Sequence, residues 1–240
     1  MSVQARPVIW EVPKPILGRR SPLTVRYFMA ADNPFQPEHF AREDEAGDDQ
    51  FYSIPRIVAH IDDQAIAALS AFYARSLKPG GDVLDLMSSC ISHLPEAPKL
   101  ASVTGLGMNM VELEANPRLT ARVVHDLNRD PCLPFADATF DACLIAVSVQ
   151  YLIRPVEVFA EIGRVLKPGA PCIVSFSNRC FWTKAVAVWR ALDDEGHCKL
   201  VDMYFRLAGR FDEPEVRDLS PAPGRTDPMF AVTARRAAVA

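Results

Sequence analysis

The side chains that could exchange a proton near neutral pH are the five histidines, whose ordinary pKa lies in that range. His60 lies just before a segment with helical spacing, and Tyr52 lies shortly before His60. We expect His60 and Tyr52 to contact a substrate or to serve as a base, with a structural hydrogen bond as the alternative for each. His93 follows an apolar run and is expected beside a ligand. His39 and His197 are expected at the surface.

The six cysteines form no recognisable metal or redox site. None belongs to a CxxC pair, and their spacing matches no zinc pattern. Several lie in apolar runs, as small core residues do. Cys180 could act as a nucleophile only beside a base, and none stands at a recognisable spacing. We therefore expect no bound metal and a reducing, cytoplasmic location.

A second set of candidates consists of polar residues that directly follow short apolar runs. If these runs are parallel strands, the polar residues meet at the carboxyl edge of one sheet, where such sheets bind ligands. Ser88 and Ser89 follow the run at residues 83–86, and their hydroxyls could bond a ligand. The other members of the set are Asp126, Ser148, Gln150, Asn178 and Arg179, and Asp85 is a further candidate within the run at residues 83–86.

The elements that must position these residues follow from the hydrophobic pattern. Apolar runs at residues 83–86, 101–104, 122–124, 142–147 and 172–176 read as buried strands. Helical segments fit between them, most clearly residues 156–167, which begin after a proline and stop at Pro168-Gly169. A further helix, capped by Asp62 or Asp63, precedes the first strand. This alternation predicts βαβ units and a parallel sheet.

The end of the chain breaks that alternation. Strand-like runs at residues 215–219 and 229–234 are separated by a turn-rich stretch too short for a helical crossover, which predicts an antiparallel pair. The predicted fold is therefore α/β, a Rossmann-like doubly wound sheet that is mostly parallel and ends in a C-terminal antiparallel hairpin.

Length and composition set the domain organisation. A chain of 240 residues accommodates one α/β domain and an extension. Residues 1–61, rich in proline and aromatic residues, are expected to form an irregular extension that caps the substrate, and residues 62–240 the main domain. The net charge of -4 argues against nucleic acid as a partner. We expect no signal peptide and no membrane-spanning run, and therefore no membrane partner.

Three segments together resemble class I S-adenosylmethionine-dependent methyltransferases of the type-11-like group. They are VLDL at residues 83–86, DLNRDPCLPFADATFD at residues 126–141 and EIGRVLKPG at residues 161–169. The terminal hairpin is similar to the last two strands of that family, so the resemblance covers roughly residues 62–236. It implies the fold, S-adenosylmethionine as the cofactor and methyl transfer as the reaction. It also implies that Asp126 accepts a hydrogen bond from the adenine amino group while Leu127 lines the adenine; a turn role is the alternative for Asp126.

The loop after the first strand departs from the family, which has a D.G.G.G motif there. Residues 85–95 read DLMSSCISHLP, without a glycine. A subgroup of the family has a similar DLMSS..SHLP loop, so the loop is interpreted as a variant. We expect Met87, Ser88, Ser89 and His93 to contact the amino-acid part of the cofactor.

A second departure lies at the end of the second strand, where the family carries an acid that binds the ribose hydroxyls. Gly107 stands there instead, between Gly105 and Met108. We expect Gly105 and Met108 to contact the cofactor, and we expect the same of Asp85 and Ser148. Asn109 is the nearest side chain able to bond a hydroxyl, with a helix cap as its alternative. Helical geometry would turn Glu112 away from the site.

The leading hypothesis is an enzyme that methylates O, N or S of a small polar molecule. The acceptor pocket would be formed by the first 60 residues and residues 178–210, with contacts from Gln150, Asn178 and Arg179. Arg179 could hold a carboxylate in a bidentate pair or form a surface salt bridge. The rival is a non-catalytic methyltransferase-like binding or regulatory protein, which the missing glycines favour. A nicotinamide-dependent dehydrogenase is a weaker third reading because the chain lacks GxGxxG.

Overall fold

The sheet predicted from the sequence is confirmed by the computed structural model, which describes residues 33–238. Within these residues it has seven strands in the order β3-β2-β1-β4-β5-β7-β6. Strands β1 to β5 are parallel, and β7 pairs antiparallel with both β5 and β6. The strands are β1 Asp82–Leu86, β2 Ser102–Gly107, β3 Ala121–Val124, β4 Ala142–Ala146, β5 Pro171–Phe176, β6 Glu215–Asp218 and β7 Phe230–Arg235.

The helices lie between and around these strands. The two long helices that the sequence predicts, Asp63–Ser76 and Pro155–Val165, are confirmed. Two 3-10 turns, Pro37–Phe40 and Val149–Tyr151, accompany them. The helices are α1 Asp48–Phe51, α2 Asp63–Ser76, α3 Met110–Ala115, α4 Pro155–Val165, α5 Ala187–Arg190 and α6 Asp194–Ala208.

Helix α2 begins as the sequence predicts. The Asp62 side chain accepts a hydrogen bond from the Ala65 amide and so caps the helix. Leu69 and Phe72 on its apolar face are buried, whereas Ile66 is only half-buried.

Helix α6 is an element that the sequence analysis missed. Asp193 caps its start, and Gly209, with φ of 65°, ends it in the left-handed conformation that favours glycine. Tyr204 and Phe205 pack edge to face on Phe159 of α4. Helix α6, which lies within the region 178–210 that we expected to form an acceptor pocket, therefore turns its apolar face to the core instead.

The expectation that His197 lies at the surface is wrong. Its side chain is buried on α6, and its ring stacks on Trp189 with centroids 3.9 Å apart. Its Nε2 also lies 2.8 Å from the Trp189 carbonyl oxygen. The polar neighbours of His197 in the sequence, Asp193–Gly196, concealed this contact because they belong to the capped first turn of the helix.

The crossover from β1 to β2 departs from the predicted strand and helix alternation. Residues 87–101 contain no helix. Pro95 and Pro98 would each interrupt one, because proline lacks the amide hydrogen that a helix uses. Side-chain hydrogen bonds hold this crossover in place of helix packing.

Residues 34–61 belong to the same compact unit as the sheet. We call residues 42–60 the strap. Lys184, fully buried, donates to the carbonyl oxygens of Asp44 and Ala46 and lies 3.3 Å from the Asp48 carboxylate. Arg42 pairs with the same carboxylate at 2.7 Å. These bonds fix the start of the strap, while a substrate cap over the whole of residues 1–61 stays a prediction, partly outside the described residues.

Among residues 33–238, no helix combines the length and the apolar composition that crossing a membrane would require.

Candidate active site

A cavity of about 480 Å³ opens at the carboxyl edge of the parallel strands. Its walls are the loops that follow β1 to β5, together with the strap. Its volume falls within the range of small-molecule sites, roughly 300–1,000 Å³. The predicted site residues that line it are Tyr52, His60, Asp85, Met87, Ser88, Ser89, His93, Met108, Asp126, Leu127, Ser148, Asn178 and Arg179.

Three predicted site residues do not line this cavity. Gly105 faces the sheet's packed side, where an added Cβ would lie 2.4 Å from the Leu119 side chain. Asn109 is the cap of α3: its Oδ1 accepts from the Val111 and Glu112 amides, and its Nδ2 donates to the Tyr52 carbonyl. Gln150 is fully buried. The helix-cap alternative for Asn109 is thus the one that the geometry supports, and the ligand roles expected for Gly105 and Gln150 are not supported.

The loop after β1 is organised around Asp85. This carboxylate is 2% exposed, and its Oδ2 accepts hydrogen bonds from the hydroxyls of Ser88 and Ser92, each at 2.6 Å. Burial raises the pKa of Asp85 to about 6, and the two serine hydrogen bonds oppose that rise because they favour the charged form. Met87 has φ of 58°, so the loop keeps the left-handed backbone that a glycine adopts more easily.

A second buried carboxylate, Glu112, lines the same side of the cavity, contrary to the expectation that helical geometry would turn it away. Its Oε2 accepts from the Ser89 hydroxyl at 2.6 Å, and its Oε1 accepts from the Arg56 amide at 2.7 Å. Asn116 donates to the Ser92 hydroxyl and the Ser89 carbonyl, each at 2.8 Å. The serine hydroxyl protons are therefore used within the chain, which leaves oxygen lone pairs and backbone groups for a ligand.

The contacts at Gly107 explain why no acid stands at the end of β2. The loop passes so close that an added Cβ at Gly107 would lie 2.2 Å from the Ser88 carbonyl oxygen. The Ser88 amide bonds the Leu106 carbonyl at 2.8 Å, which fixes this approach. Any side chain at this position would displace the loop.

Asp126 serves its own turn and faces the cavity at the same time. Its Oδ1 accepts from the amides of Asn128 and Arg129, at 2.9 Å and 3.2 Å. Its Oδ2 makes no hydrogen bond with the described residues. Asn128 in turn donates to Asp48 of the strap at 2.7 Å. Both roles weighed for Asp126 are thus open to the same side chain, through different oxygens.

The opposite wall is aromatic. Tyr151 and Phe181 are stacked with centroids 5.9 Å apart, and the His60 ring meets Phe181 edge to face at 5.3 Å. The Tyr151 hydroxyl accepts from the Phe181 amide at 2.8 Å, which holds the two rings together. The sequence analysis missed this wall because nothing near Tyr151 in the sequence distinguishes it from a core residue.

The titration of the two candidate bases differs. Burial lowers the pKa of His60; nearby Arg56 adds to the effect and Glu112 opposes it. A neutral His60 can accept a proton at neutral pH. Burial raises the pKa of Tyr52 well above its usual range, with Tyr151 and Asp48 adding to the effect. Tyr52 therefore remains a neutral phenol, able to hydrogen-bond a ligand but not to act as a resident base.

Two polar atoms in the cavity wall lack a partner within the described residues. They are Nδ1 of His93 and Oγ of Ser148, both buried. Burial lowers the pKa of His93 to about 4, and His60 adds to the effect, so His93 is also neutral. Unsatisfied buried polar atoms cost about 1–3 kcal/mol each, which a ligand hydrogen bond would offset.

The central part of the chain matches a family model described as a methyltransferase domain, over residues 90–174. The match includes the segments at residues 126–141 and 161–169 on which the resemblance depended. The VLDL strand at residues 83–86 lies before it.

One curated relative is the ubiquinone/menaquinone biosynthesis C-methyltransferase of Desulfotalea psychrophila, 38% identical over 114 residues, which are 42% of this chain and 43% of that protein. The chain spans less than half of the length of the curated relatives that it matches.

Solved structures share the fold at low sequence identity. An S-adenosylmethionine-dependent methyltransferase from Thermotoga maritima aligns with a TM-score of 0.52 at 19% identity, covering 72% of this chain and 91% of that one. The [4+2]-cyclase SpnF aligns with a TM-score of 0.53 at 16% identity, covering 80% and 92%. Identities this low support the fold and leave the reaction to be argued from the site.

Proposed function

We propose that this chain, which carries a methyltransferase domain with the class I Rossmann-like fold, transfers the methyl group of S-adenosylmethionine to a small molecule. The observation that carries the proposal is the meeting of two sets of residues in one cavity. The resemblance assigns one set to the cofactor, and the other faces it from the strap and from the loops after β4 and β5.

The cofactor would lie across the ends of β1 to β3. Asp126 would accept a hydrogen bond from the adenine amino group through its free Oδ2, with Leu127 against the ring. The loop at residues 87–93 would hold the amino-acid part through backbone groups, the Nδ1 of His93 and the serine oxygens. The ribose would lie over the end of β2, where Gly107 and Met108 line the cavity. When bound, the cofactor supplies a sulfonium methyl group that is already activated.

The chain's own task is then to align the acceptor, exclude water and take up a proton where the acceptor carries one. The strap covers the cavity, anchored by Lys184 at one end and, further on, by the hydrogen bond from the Arg56 backbone amide to the Glu112 carboxylate. Neutral His60 is the proposed base, and Ser148 and Tyr52 would orient the acceptor by hydrogen bonds.

The proposed acceptor atoms are O, N and S, and carbon is added to them because a relative at 38% identity is named as a C-methyltransferase. A ring carbon next to a hydroxyl group needs the same base as an oxygen acceptor, because loss of the hydroxyl proton makes that ring carbon more nucleophilic. A neutral histidine in the wall suits either reaction.

A non-catalytic role remains the second candidate. It is favoured by the loop after β1, whose serine hydroxyl protons are all used within the chain. Such a non-catalytic protein would bind the cofactor in this cavity without transferring its methyl group.

Turnover tests the proposal directly. The protein is incubated with methyl-labelled S-adenosylmethionine and a set of hydroxylated, amino and thiol acceptors, and labelled product is counted. We expect label in product with the wild type, a loss of about 10²–10⁴-fold in His60→Gln, and no loss in the control His39→Gln, which lies outside the cavity. Cofactor binding without any turnover would favour the second candidate.

A further inference from the structure

Arg56 of the strap presents a guanidinium group to the cavity without an acidic partner. Its Cζ lies 4.4 Å from the centroid of the Phe51 ring and 5.2 Å from that of Phe181. Its Nη1 donates to the carbonyl oxygens of Phe51 and Ile54, at 3.1 Å and 3.3 Å. Among residues 33–238, no carboxylate oxygen lies within 4.0 Å of this group.

The other cations that hold the strap are paired. Arg42 and Lys184 both reach the Asp48 carboxylate, at 2.7 Å and 3.3 Å. Arg56 is half-buried between two rings, so its charge is partly removed from water, and no carboxylate of the described residues pairs with it. A ligand anion would offset that cost through a charge-assisted hydrogen bond.

The surface next to this guanidinium is aromatic. Phe181 lies under Arg56 and is stacked with Tyr151 at an interplanar angle of 27°. His60 contacts the same Phe181 ring. A planar ring can bind such a wall by offset or edge contacts.

We propose that the methyl acceptor is a small aromatic carboxylate. Its carboxylate would pair with Arg56, its ring would lie against Phe181 and Tyr151, and the group to be methylated would face His60. One guanidinium without a carboxylate partner carries a single positive charge, which matches the single negative charge of a monoanion. The inference deepens the proposed function and rests on it.

Arg179 would act only at the rim. It is 63% exposed, and its Nε lies 4.0 Å from Asp227, at the limit of an ion pair. It can guide an anion towards the cavity, whereas half-buried Arg56 would hold it.

The test uses matched probes and calorimetry. Wild-type protein, saturated with S-adenosylhomocysteine, is titrated with 4-hydroxybenzoate, with neutral 4-hydroxybenzamide, and with 4-hydroxycyclohexanecarboxylate. The variants are Arg56→Gln and the control Arg75→Gln, which also stacks on a phenyl ring, at 6.0 Å, but lies outside this cavity. Circular dichroism checks that each variant is folded.

We expect 4-hydroxybenzoate to bind the wild type at least about tenfold more tightly than either other probe, the effect of losing one charge-assisted bond or one ring contact. Arg56→Gln should remove the preference for the carboxylate and leave the benzamide unchanged, and Arg75→Gln should match the wild type.

Three results would overturn the inference. Equal affinities for the benzoate and the benzamide would show that the site does not select an anion. Equal affinities for the benzoate and the cyclohexane probe would show that it does not select an aromatic ring. An Arg56→Gln variant that loses affinity for S-adenosylhomocysteine but not for benzoate would assign Arg56 to the cofactor. If Arg56→Gln does not fold, the wild-type preference among the probes decides. Failure of the proposed function appears separately, as benzoate binding by a protein that binds no cofactor.

Discussion

Two crossovers of the same sheet are held by different forces. Between β4 and β5, helix α4 buries Val158, Phe159 and Ile162 completely. Between β1 and β2, residues 87–101 contain no helix, and the chain is fixed by hydrogen bonds from Ser88 and Ser92 to the buried Asp85. Apolar packing is non-directional. Hydrogen bonds are directional, so they hold the polar atoms of the loop at defined positions. The crossover without a helix therefore presents polar atoms at fixed positions beside the cavity.

The largest expected effect belongs to the helical crossover. Phe159→Ala removes a fully buried ring that packs on Tyr204 and Phe205. We expect a loss of about 3–5 kcal/mol in the free energy of unfolding, because the cavity left behind cannot close. Urea denaturation measures it. At a temperature where the variant is folded, its dissociation constant for S-adenosylmethionine should equal that of the wild type. A larger dissociation constant in the variant would mean that the helical crossover also supports the cofactor site.

The second prediction concerns pH and Asp85. Because burial raises the folded-state pKa to about 6 from an ordinary 3.8, the folded protein binds more protons than the unfolded chain between those values. The free energy of unfolding contributed by Asp85 therefore falls as pH rises from about 4 to 6, by about 3 kcal/mol at most, since one pKa unit corresponds to about 1.4 kcal/mol.

The matched control is Asp85→Asn, which cannot ionise. Denaturation curves of both proteins between pH 4 and 7 should show the wild type losing stability relative to the variant as pH rises. A constant difference across that range would mean that Asp85 is not strained by burial, and the loop would then owe its shape to something else.

The smallest expected effect is that of the serine hydroxyls. Ser88→Ala with Ser89→Ala removes one donor from Asp85 and one from Glu112. We expect the cofactor dissociation constant to rise by about tenfold, corresponding to about 1–2 kcal/mol, because the loop backbone loses its anchors. Circular dichroism should show a folded protein. Unchanged affinity in the folded double variant would reduce this loop to packing and favour the non-catalytic candidate.

The same contrast explains what the sequence could predict. The strands, α2, α4 and the hairpin follow from apolar periodicity, caps and glycine or proline stops, which are local signals. The hydrogen bond from the Asn109 side chain to the Tyr52 carbonyl and the close approach of the Ser88 carbonyl to Gly107 join segments distant in the chain. Arg56 had no local signal either, because its rings come from two separate elements.

Titration of the wild-type protein with S-adenosylmethionine, followed by calorimetry and thermal shift, tests the central claim most directly. The account predicts saturable binding at one site. It also predicts an affinity weakened by about 1–3 kcal/mol in Asp126→Asn, which keeps an oxygen for its turn but loses the charged acceptor. No heat and no thermal shift at millimolar cofactor would contradict the account.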